Sequence, residues 1–225
     1  APFAFSAAVG RRAATGAKAA NVAFADLGSQ YVVVGEPTES KFARASKGAL
    51  TCHVRFRGVA AHSAYPHLGE SAINRMVAAI AEINLADWGS HDVLGKTTVN
   101  VGVVRGGERP NIIPAEAECE MIFRLVTTPE DVEHNLAILV ANHDGRITLS
   151  RGNPPQFMVV PEGAESHVVA FNTDVPWLTN LGKPLLFGPG SILDAHTDED
   201  RVRLDELQAA AATYAAIATT LLAEA

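Results

Sequence analysis

The sequence has few cysteines, no long apolar run and no long run of either charge. Only Cys52 and Cys119 occur among its 225 residues, too few for the disulfide framework that holds a small secreted domain together. Both fall in strand-like segments, so we expect buried thiols in a reducing cytoplasm, with a single bridge between them as the alternative. No apolar run approaches the ~20 residues that span a bilayer. The opening APFAFSAAVG has no basic residues ahead of its short apolar run, so we do not expect a signal peptide.

Charge and hydropathy bound the class of partner. The formal net charge is −7, from 18 basic and 25 acidic residues, and an acidic chain without basic clusters is a poor match for nucleic acids and anionic membranes. We therefore expect a small-molecule or protein partner, no nucleic acid and no membrane. With 48% hydrophobic residues, the chain can bury the core of one large domain or two small ones. It opens without Met in a strand-like run, so we expect that a further segment precedes it.

Residues 47–151 carry the clearest secondary-structure pattern. ALTCHVRFR alternates apolar and polar residues, as do TTVNVGVV and AEAECEMIF, the last with its glutamates outward, and GRITLSRG gives a fourth strand. A first helix places Ile73, Met76, Val77, Ile80 and Ile83 on one face. A second helix begins after the capping residue Thr128, with Pro129 in its first turn and Val132, Leu136, Leu139 and Val140 as its apolar stripe. The order β-α-β-β-α-β predicts a ferredoxin-like domain with both helices on one face of an antiparallel sheet.

The flanking segments predict a different arrangement. FAFSAAV, the alanine-rich stretch from Ala17 to Leu27 and YVVVG form a βαβ unit with parallel strands buried on both faces. After residue 152 we expect a short helix around VVAFNT, a strand at PLLFG, and a last amphipathic helix. The apolar face predicted for that helix consists of Leu207, Ala211, Tyr214, Ala218 and Leu221. The sequence thus predicts a two-domain α/β protein, in which residues 1–46 and 152–225 form a partial parallel-sheet domain and residues 47–151 form an inserted ferredoxin-like domain.

Four segments in order resemble the M20 family of metallo-hydrolases. They are VVVGEPTESKFARASKGAL, GVAAHSAYPHLGESAI, TTVNVGVVRGGERPNIIPAEAECEMIFRL and LLFGPGSILDAHTDEDRVRLDEL. The family includes deacetylases, desuccinylases, aminoacylases and carboxypeptidases that cleave an amide next to a carboxylate. The resemblance implies a catalytic domain, an inserted dimerisation or lid domain, and a homodimer formed through the insert. Within the family, GEPTESK and GPGSILDAHT look most like enzymes that act on N-acyl amino acids.

The resemblance implies two metal ligands in this sequence. Glu36 in GEPT matches a metal-binding carboxylate, and His196 in DAHTDED matches the last metal-binding histidine. These residue types bind Zn²⁺ at ~2.0–2.2 Å, and a bridged pair of ions activates water and polarises an amide carbonyl. Zinc is therefore the predicted cofactor, two ions in the family and weakly bound or absent in this chain. From the residues alone, Glu36 also fits a loop carboxylate and His196 a solvated loop histidine.

His62, in AHS, resembles the family histidine that reaches into the active site of the partner subunit and helps to polarise the substrate carbonyl. By itself it also fits a strand-end histidine on a polar edge, and His67 has no family counterpart and is predicted to lie on the surface. Asn111 and Arg124 match positions that contact substrate, since an arginine fork can bind a carboxylate with two parallel hydrogen bonds. By itself Arg124 also fits an ordinary surface charge.

The glycines of GPG are the last substrate-binding candidates. Gly188 and Gly190 could let a ligand carboxylate approach backbone amides, although a lone GPG is also typical of a simple turn.

Two arginines stand where the family has a pair of glutamates, one the catalytic base. The strand FAFSAAV continues into VGRRAATGAK, which places Arg11 and Arg12 at that position. A general base typically contributes ~10²–10⁴-fold in rate, so its loss predicts an inactive chain. We expect one of the arginines to pair with Glu36 or Asp198, or both to lie in a solvated turn. The two resulting hypotheses are an amidohydrolase by descent, catalytically incomplete in this chain, and a non-catalytic dimerising binding or scaffold protein.

Overall fold

The computed structural model describes residues 4–5, 14–195 and 198–223. They form fourteen strands and four α-helices. The strands are β1 (Ala4–Phe5), β2 (Tyr31–Val34), β3 (Phe42–Ser46), β4 (Gly48–Arg57), β5 (Ala61–His62), β6 (Ser90–His91), β7 (Gly95–Lys96), β8 (Thr98–Gly106), β9 (Ile112–Ile113), β10 (Glu116–Leu125), β11 (Gly145–Asn153), β12 (Gln156–Phe157), β13 (Ser166–Val169) and β14 (Lys183–Leu186). The helices are α1 (Thr15–Ala23), α2 (Ala72–Leu85), α3 (Pro129–Ala141) and α4 (Leu204–Ala223). Two compact units result, Ala1–Ser46 with Gln156–Ala225 and Lys47–Pro155. We call them the outer unit and the inserted unit.

The inserted unit is a four-stranded antiparallel sheet with two helices packed on one face. The strand order is β11-β4-β10-β8, and α2 and α3 contribute Met76, Ile83, Val132 and Leu136 to the core beneath the sheet. Alternation explains the inward face of β4, since every second residue from Leu50 to Phe56 is buried. This order of elements, β4-α2-β8-β10-α3-β11, confirms the predicted ferredoxin-like arrangement.

Both helices of the inserted unit begin at side-chain caps. Ser71 Oγ accepts a hydrogen bond from the Asn74 amide at 3.2 Å, and Thr128 Oγ1 accepts one from the Asp131 amide at 3.3 Å, each satisfying a donor that a helix start leaves without a partner. The predicted cap of α3 is therefore confirmed. The predicted buried face of α2 is wrong at Val77, which is 57% exposed.

The sheet face opposite the helices is polar and carries cross-strand charges. Glu118 of β10 lies between Arg55 of β4 and Arg105 of β8 in the register of the sheet. Its carboxylate is 3.6 Å from the Arg55 guanidinium and 3.5 Å from that of Arg105. The glutamates of β10 thus point outward as predicted, and we call this surface the open face.

The two cysteines lie on the neighbouring strands β4 and β10 and face the core. Cys52 and Cys119 are free and fully buried, and burial raises the pKa of each thiol to about 11. Neither thiol forms a thiolate at neutral pH, so both are chemically inert. The prediction of buried free thiols is confirmed.

The outer unit is built around a parallel sheet of order β1-β2-β14. Val32, Val34 and Leu186 pack on one side with Ala17 of α1, whereas Val33, Leu185 and Phe187 pack on the other side with α4. A strand buried on both faces reads as a continuous apolar run, which is why YVVVG predicted a parallel sheet correctly. A second sheet has the order β12-β3-β13.

Two expectations about the outer unit are wrong. The stretch around VVAFNT is not a short helix, because Ser166–Val169 pairs in parallel with β3. The predicted apolar face of α4 is correct at Leu221, which is buried, and at Tyr214, which packs against the same core, but it is wrong at Leu207, which is 49% exposed. Ala210 and Ile217 are the other buried residues of the helix. No helix among the described residues is long and apolar enough to cross a bilayer.

Candidate functional site

The carboxyl edge of the parallel sheet brings two predicted site segments together. Glu36 follows β2, and Gly188 follows β14, the neighbouring strand in the sheet. The pairing continues beyond the strands, since the Phe187 amide donates to the Val34 carbonyl at 3.1 Å. Ligands of open α/β sheets bind at the carboxyl ends of the strands, so this edge is the candidate site of the outer unit.

Thr38 ties the two segments to each other. Its amide donates to the Gly188 carbonyl at 3.2 Å, and the Gly188 amide donates back to Thr38 Oγ1 at 2.9 Å. A Cβ atom on residue 188 would overlap the Glu36 carbonyl oxygen, so only glycine allows this approach. The Glu39 amide donates to the Gly190 carbonyl at 2.9 Å. Gly188 therefore uses its amide within the fold, and Thr38, which the sequence did not single out, holds Glu36 in place.

Tyr214 fixes the strand that leads into this glycine loop. Its hydroxyl donates to the Phe187 carbonyl at 2.8 Å, and its ring packs edge-on against the Phe187 ring at a centroid distance of 5.4 Å. The last helix therefore positions the GPG loop through a side chain that reaches the end of β14.

Glu36 is a half-buried carboxyl group in an environment that disfavours its charge. Burial, and secondarily the negative charge of Asp174, raise the pKa of Glu36 to about 7. Burial also raises the pKa of Asp174. A carboxyl group whose pKa is raised by burial and by a neighbouring negative charge favours a bound proton or cation. Asp174 precedes a short 3₁₀ turn, Val175–Trp177, and no motif in the sequence pointed to it.

The described residues do not by themselves assemble a complete metal centre. Among them, no group of three or more His, Cys, Asp and Glu side chains has the geometry to hold an ion. His196, the second predicted ligand, lies outside the described residues, as do Arg11 and Arg12. The predicted pairing of an arginine with Glu36 or Asp198 therefore stays a prediction.

A two-stranded antiparallel sheet in the inserted unit, formed by β5 and β9, brings His62 and Asn111 together. His62 of β5 is paired with Ile112 of β9, and the Ser63 amide donates to the Asn111 carbonyl at 3.0 Å. His62 Nδ1 accepts a hydrogen bond from the Ala64 amide at 3.1 Å, so a neutral imidazole carries its proton on Nε2. The exposed ring of His62 thus presents a donor outward, which is the group needed to polarise a carbonyl. His67 is exposed as expected.

Arg124 lies elsewhere in the inserted unit. It sits on the open face near the end of β10, in register with Ala49 and Thr98, whereas Asn111 and strand β9 lie just before the start of β10. Within the part of the chain that the structure describes, its half-buried guanidinium has no hydrogen bond or ion pair, so its donors are available to a ligand.

Comparisons with known proteins agree with this architecture. A family model described as the peptidase dimerisation domain of the M20 family matches residues 44–148. A probable carboxypeptidase of Aspergillus flavus is 37% identical over 207 residues, which cover 81% of this chain and 50% of that protein. A peptidase M20 domain-containing protein of Schizosaccharomyces pombe is 33% identical over 181 residues, 79% of this chain and 45% of that protein. The chain thus spans about half the length of the curated relatives that it matches.

Solved structures share the fold at low sequence identity. A tripeptidase from Staphylococcus aureus has a TM-score of 0.59 at 18% identity, over 79% of this chain and 52% of that chain. A putative aminohydrolase from methicillin-resistant Staphylococcus aureus has a TM-score of 0.60 at 15% identity, over 80% of this chain and 55% of that chain. The dimerisation-domain match and the relatives from Aspergillus flavus and Schizosaccharomyces pombe show that the chain belongs to the M20 family of peptidases.

Proposed function

We propose that this chain is part of a metal-dependent M20 hydrolase that cleaves the amide bond of a peptide-like substrate or an N-acyl amino acid. The observation that carries the proposal is Glu36, a half-buried carboxyl group with a pKa of about 7 at the carboxyl edge of a parallel sheet. Two classes of relative, probable carboxypeptidases and a tripeptidase, support a peptide-like substrate. The buried free thiols support a cytoplasmic location.

Glu36 would hold the metal, with Asp174 near enough to add to its negative field. The raised pKa of a half-buried carboxyl group fits a site meant to carry a cation, because a divalent ion removes the cost of charging it. We propose zinc, with His196 as a further ligand. When bound, the metal would supply Lewis-acid polarisation of the amide carbonyl and an activated water.

The inserted unit would supply substrate contacts. His62 would donate from Nε2 to the amide carbonyl, across a dimer, and Asn111 would contact the substrate beside it. Arg124 would bind the substrate carboxylate through its guanidinium. Gly190, whose φ of 80° places it in the left-handed region, would give the ligand close access to the glycine loop.

We propose that a homodimer forms through the inserted unit. Val77 and Leu85 of α2 are 57% and 87% exposed, and Val104 of the edge strand β8 is 57% exposed. A second copy that covered this apolar helix face and added a strand to the β8 edge would bury side chains that otherwise face water. Sedimentation of Val77→Glu should then show a monomer where the parent chain shows a dimer.

We further propose that the 225-residue chain by itself is inactive. The family resemblance aligns Arg11 and Arg12, to within one residue, with the catalytic glutamate pair, and guanidinium groups cannot act as a base at neutral pH. The alternative function, a non-catalytic dimerising protein that retains a carboxylate-binding pocket, is favoured by the same two arginines, whereas the match to a dimerisation domain fits both functions.

The first experiment is the zinc content of the purified, dialysed chain, measured by elemental analysis with Glu36→Gln as the comparison. Hydrolysis of N-acetyl amino acids and of dipeptides is assayed on the same samples after zinc is added. Zinc retained by the parent and lost from Glu36→Gln supports the metal site, whereas equal zinc in both contradicts Glu36 as a ligand. Turnover by the parent chain would refute its inactivity. Zinc binding without turnover supports the proposed lineage with an incomplete chain, and neither zinc nor turnover supports the non-catalytic alternative.

A further inference from the structure

We propose that the inserted unit carries a second ligand site, a cleft that binds a zwitterionic amino acid or short peptide with an apolar side chain. The cleft has a volume of about 550 Å³, within the range of roughly 300–1,000 Å³ that is usual for small-molecule sites. It lies between one end of the open face and the loop that leads into β9. Glu36, His62, Asn111, Arg124, Gly188 and Gly190 do not line it, although its wall residue Ile112 follows Asn111 and is paired with His62.

Arg55 gives the cleft a free set of hydrogen-bond donors. Its guanidinium is 3.6 Å from Glu118, an ion-pair distance that is too long for a hydrogen bond. Across the described residues it makes no hydrogen bond, although a guanidinium has five N–H donors in a planar fork. Arg105, on the other side of Glu118, already donates to Glu120 at 2.9 Å. A ligand carboxylate would therefore bind at Arg55, with Arg105 adding its charge.

Two carboxylates of the cleft lack a positively charged partner. Glu108 and Glu116 line it, and neither has an ion pair or hydrogen bond with any residue that the structure describes. Arg105 is paired with Glu120, and Arg55 lies beside Glu118. The charges of Glu108 and Glu116 are therefore not balanced, and the cleft carries excess negative charge. An ammonium group placed near Glu108 and Glu116 would offset it.

The third wall of the cleft is apolar. It consists of Ile112, Ile113 and Pro114, and Ile112 keeps 38% of its surface exposed. The preceding loop lies close to the helix because Gly106 and Gly107 have no side chains: a Cβ atom on Gly107 would lie 3.2 Å from Ile73. A bound aliphatic side chain would cover Ile112 and gain about 25 cal/mol for each Å² of apolar surface removed from water.

These three walls together select a zwitterion over simpler ligands. An inorganic anion would engage Arg55 but lie next to two unpaired carboxylates, and a simple cation would leave the donors of Arg55 without a partner. An amino acid or a short peptide with free ends presents an ammonium, a carboxylate and a side chain at once, and it satisfies each wall with the group of matching chemistry.

The test is a titration of the whole ¹⁵N-labelled chain, with the amide signals of Gly106 and Gly107 as reporters of the cleft. The probes are L-leucine, N-acetyl-L-leucine, which has no ammonium, and L-leucinamide, which has no carboxylate. We expect saturable shifts with L-leucine and binding of each analogue that is weaker by roughly tenfold or more, because each analogue lacks one of the two charged groups that the cleft would bind. Equal affinity for the three probes, no shift with L-leucine, or shifts at Gly188 and Gly190 alone would each overturn the proposal.

Two variants and a matched control complete the test. Arg55→Gln and Glu116→Gln should each weaken L-leucine binding roughly tenfold. Arg151→Gln removes another exposed arginine of the same sheet, in register with Thr51 and away from the cleft, and should bind as the parent does. If Arg55→Gln fails to fold, Glu116→Gln still tests the proposal. This variant should fold, because the Glu116 carboxylate has no partner among the described residues. Parent-like affinity in Glu116→Gln, or a loss in Arg151→Gln of the same size, contradicts the assignment of the cleft.

Discussion

The raised pKa of Glu36 predicts that replacing it by glutamine stabilises the outer unit in a pH-dependent way. The change keeps the shape of the side chain and removes its ability to ionise. In the folded chain without metal, the pKa of Glu36 rises from 4.5 to about 7 because the group is half-buried and lies near Asp174. An acid with a raised folded-state pKa destabilises the fold as pH rises, because the unfolded chain ionises first.

The size of the effect follows from the difference between the folded and unfolded pKa values. Below about pH 4.5 the carboxyl group is protonated in both states, and glutamine should change the stability little. Between pH 4.5 and about 7 the parent loses stability, and above this range the loss is complete at about 3 kcal/mol, because a tenfold difference in proton affinity corresponds to about 1.36 kcal/mol. Glu36→Gln should therefore be more stable than the parent by up to about 3 kcal/mol at pH 8.

The assay is urea denaturation at several pH values between 4.5 and 8 in the presence of a chelator, followed through the amide signals of β2. These signals report on the outer unit. The difference between the variant and the parent cancels the titration of all other groups, and Glu162→Gln, an exposed carboxylate of the same unit, is the control. A difference that does not change with pH, or a variant that is less stable at pH 8, would refute the reasoning. Zinc added to the parent should reverse the loss if Glu36 is a metal ligand.

Three further substitutions test how each unit is held together. Gly188→Ala forces a Cβ atom against the Glu36 carbonyl. We expect the free energy of unfolding, measured by thermal unfolding, to fall by about 1–3 kcal/mol or more, because the backbone must move to relieve the overlap. Phe56→Ala empties a fully buried position of the inserted core and should cost about 3–5 kcal/mol in urea denaturation; a loss below about 1 kcal/mol would contradict the core assignment. Thr128→Ala removes the cap of α3 and should cost about 1 kcal/mol, whereas Thr128→Ser should retain most of it.

The inserted unit could be predicted almost completely because its pattern is local. Strand β4 alternates from Leu50 to Arg57, and Thr128 followed by Pro129 marks a helix start by a mechanism that involves only neighbouring residues. Val77 is the exception, because an apolar residue on the rim of a helix satisfies the same spacing as a core residue. Exposure at such a position depends on what covers the helix, which the spacing alone does not determine.

The outer unit was harder to predict for two physical reasons. An alanine-rich helix such as α4 offers several faces of similar hydropathy, so the spacing did not distinguish Leu207 from Ala210 as the buried residue. Strand β3 carries Arg44 between buried neighbours and pairs with β13 through a register shift, which breaks the alternation that identifies strands. Strand β13 does not alternate either, because three half-buried residues precede Val169, and the sequence predicted a short helix around VVAFNT instead.

The candidate site shows the same division between local and distant information. Glu36, His62 and Asn111 stand in short motifs and were found by resemblance to a family. Asp174 and Thr38 were missed, since one acts through its charge on Glu36 from a distant part of the sequence and the other through hydrogen bonds to Gly188. A pattern search that looks for catalytic residue types has no signal for either role.

The motifs that mark this chain as an M20 protein also build the loops that hold its site. In GEPT, Thr38 exchanges hydrogen bonds with Gly188 of GPG, and in AHS the Ser63 amide binds the Asn111 carbonyl. A match to these motifs therefore reflects the hydrogen bonds that shape the loops as well as the catalytic chemistry. A chain can retain the motifs after the catalytic groups are lost. The predicted replacement of the catalytic pair by Arg11 and Arg12 would be a change of that kind, because these loop contacts involve neither residue. Metal binding and turnover must for that reason be measured separately: the first depends on Glu36 and the loop that holds it, and the second also requires a base.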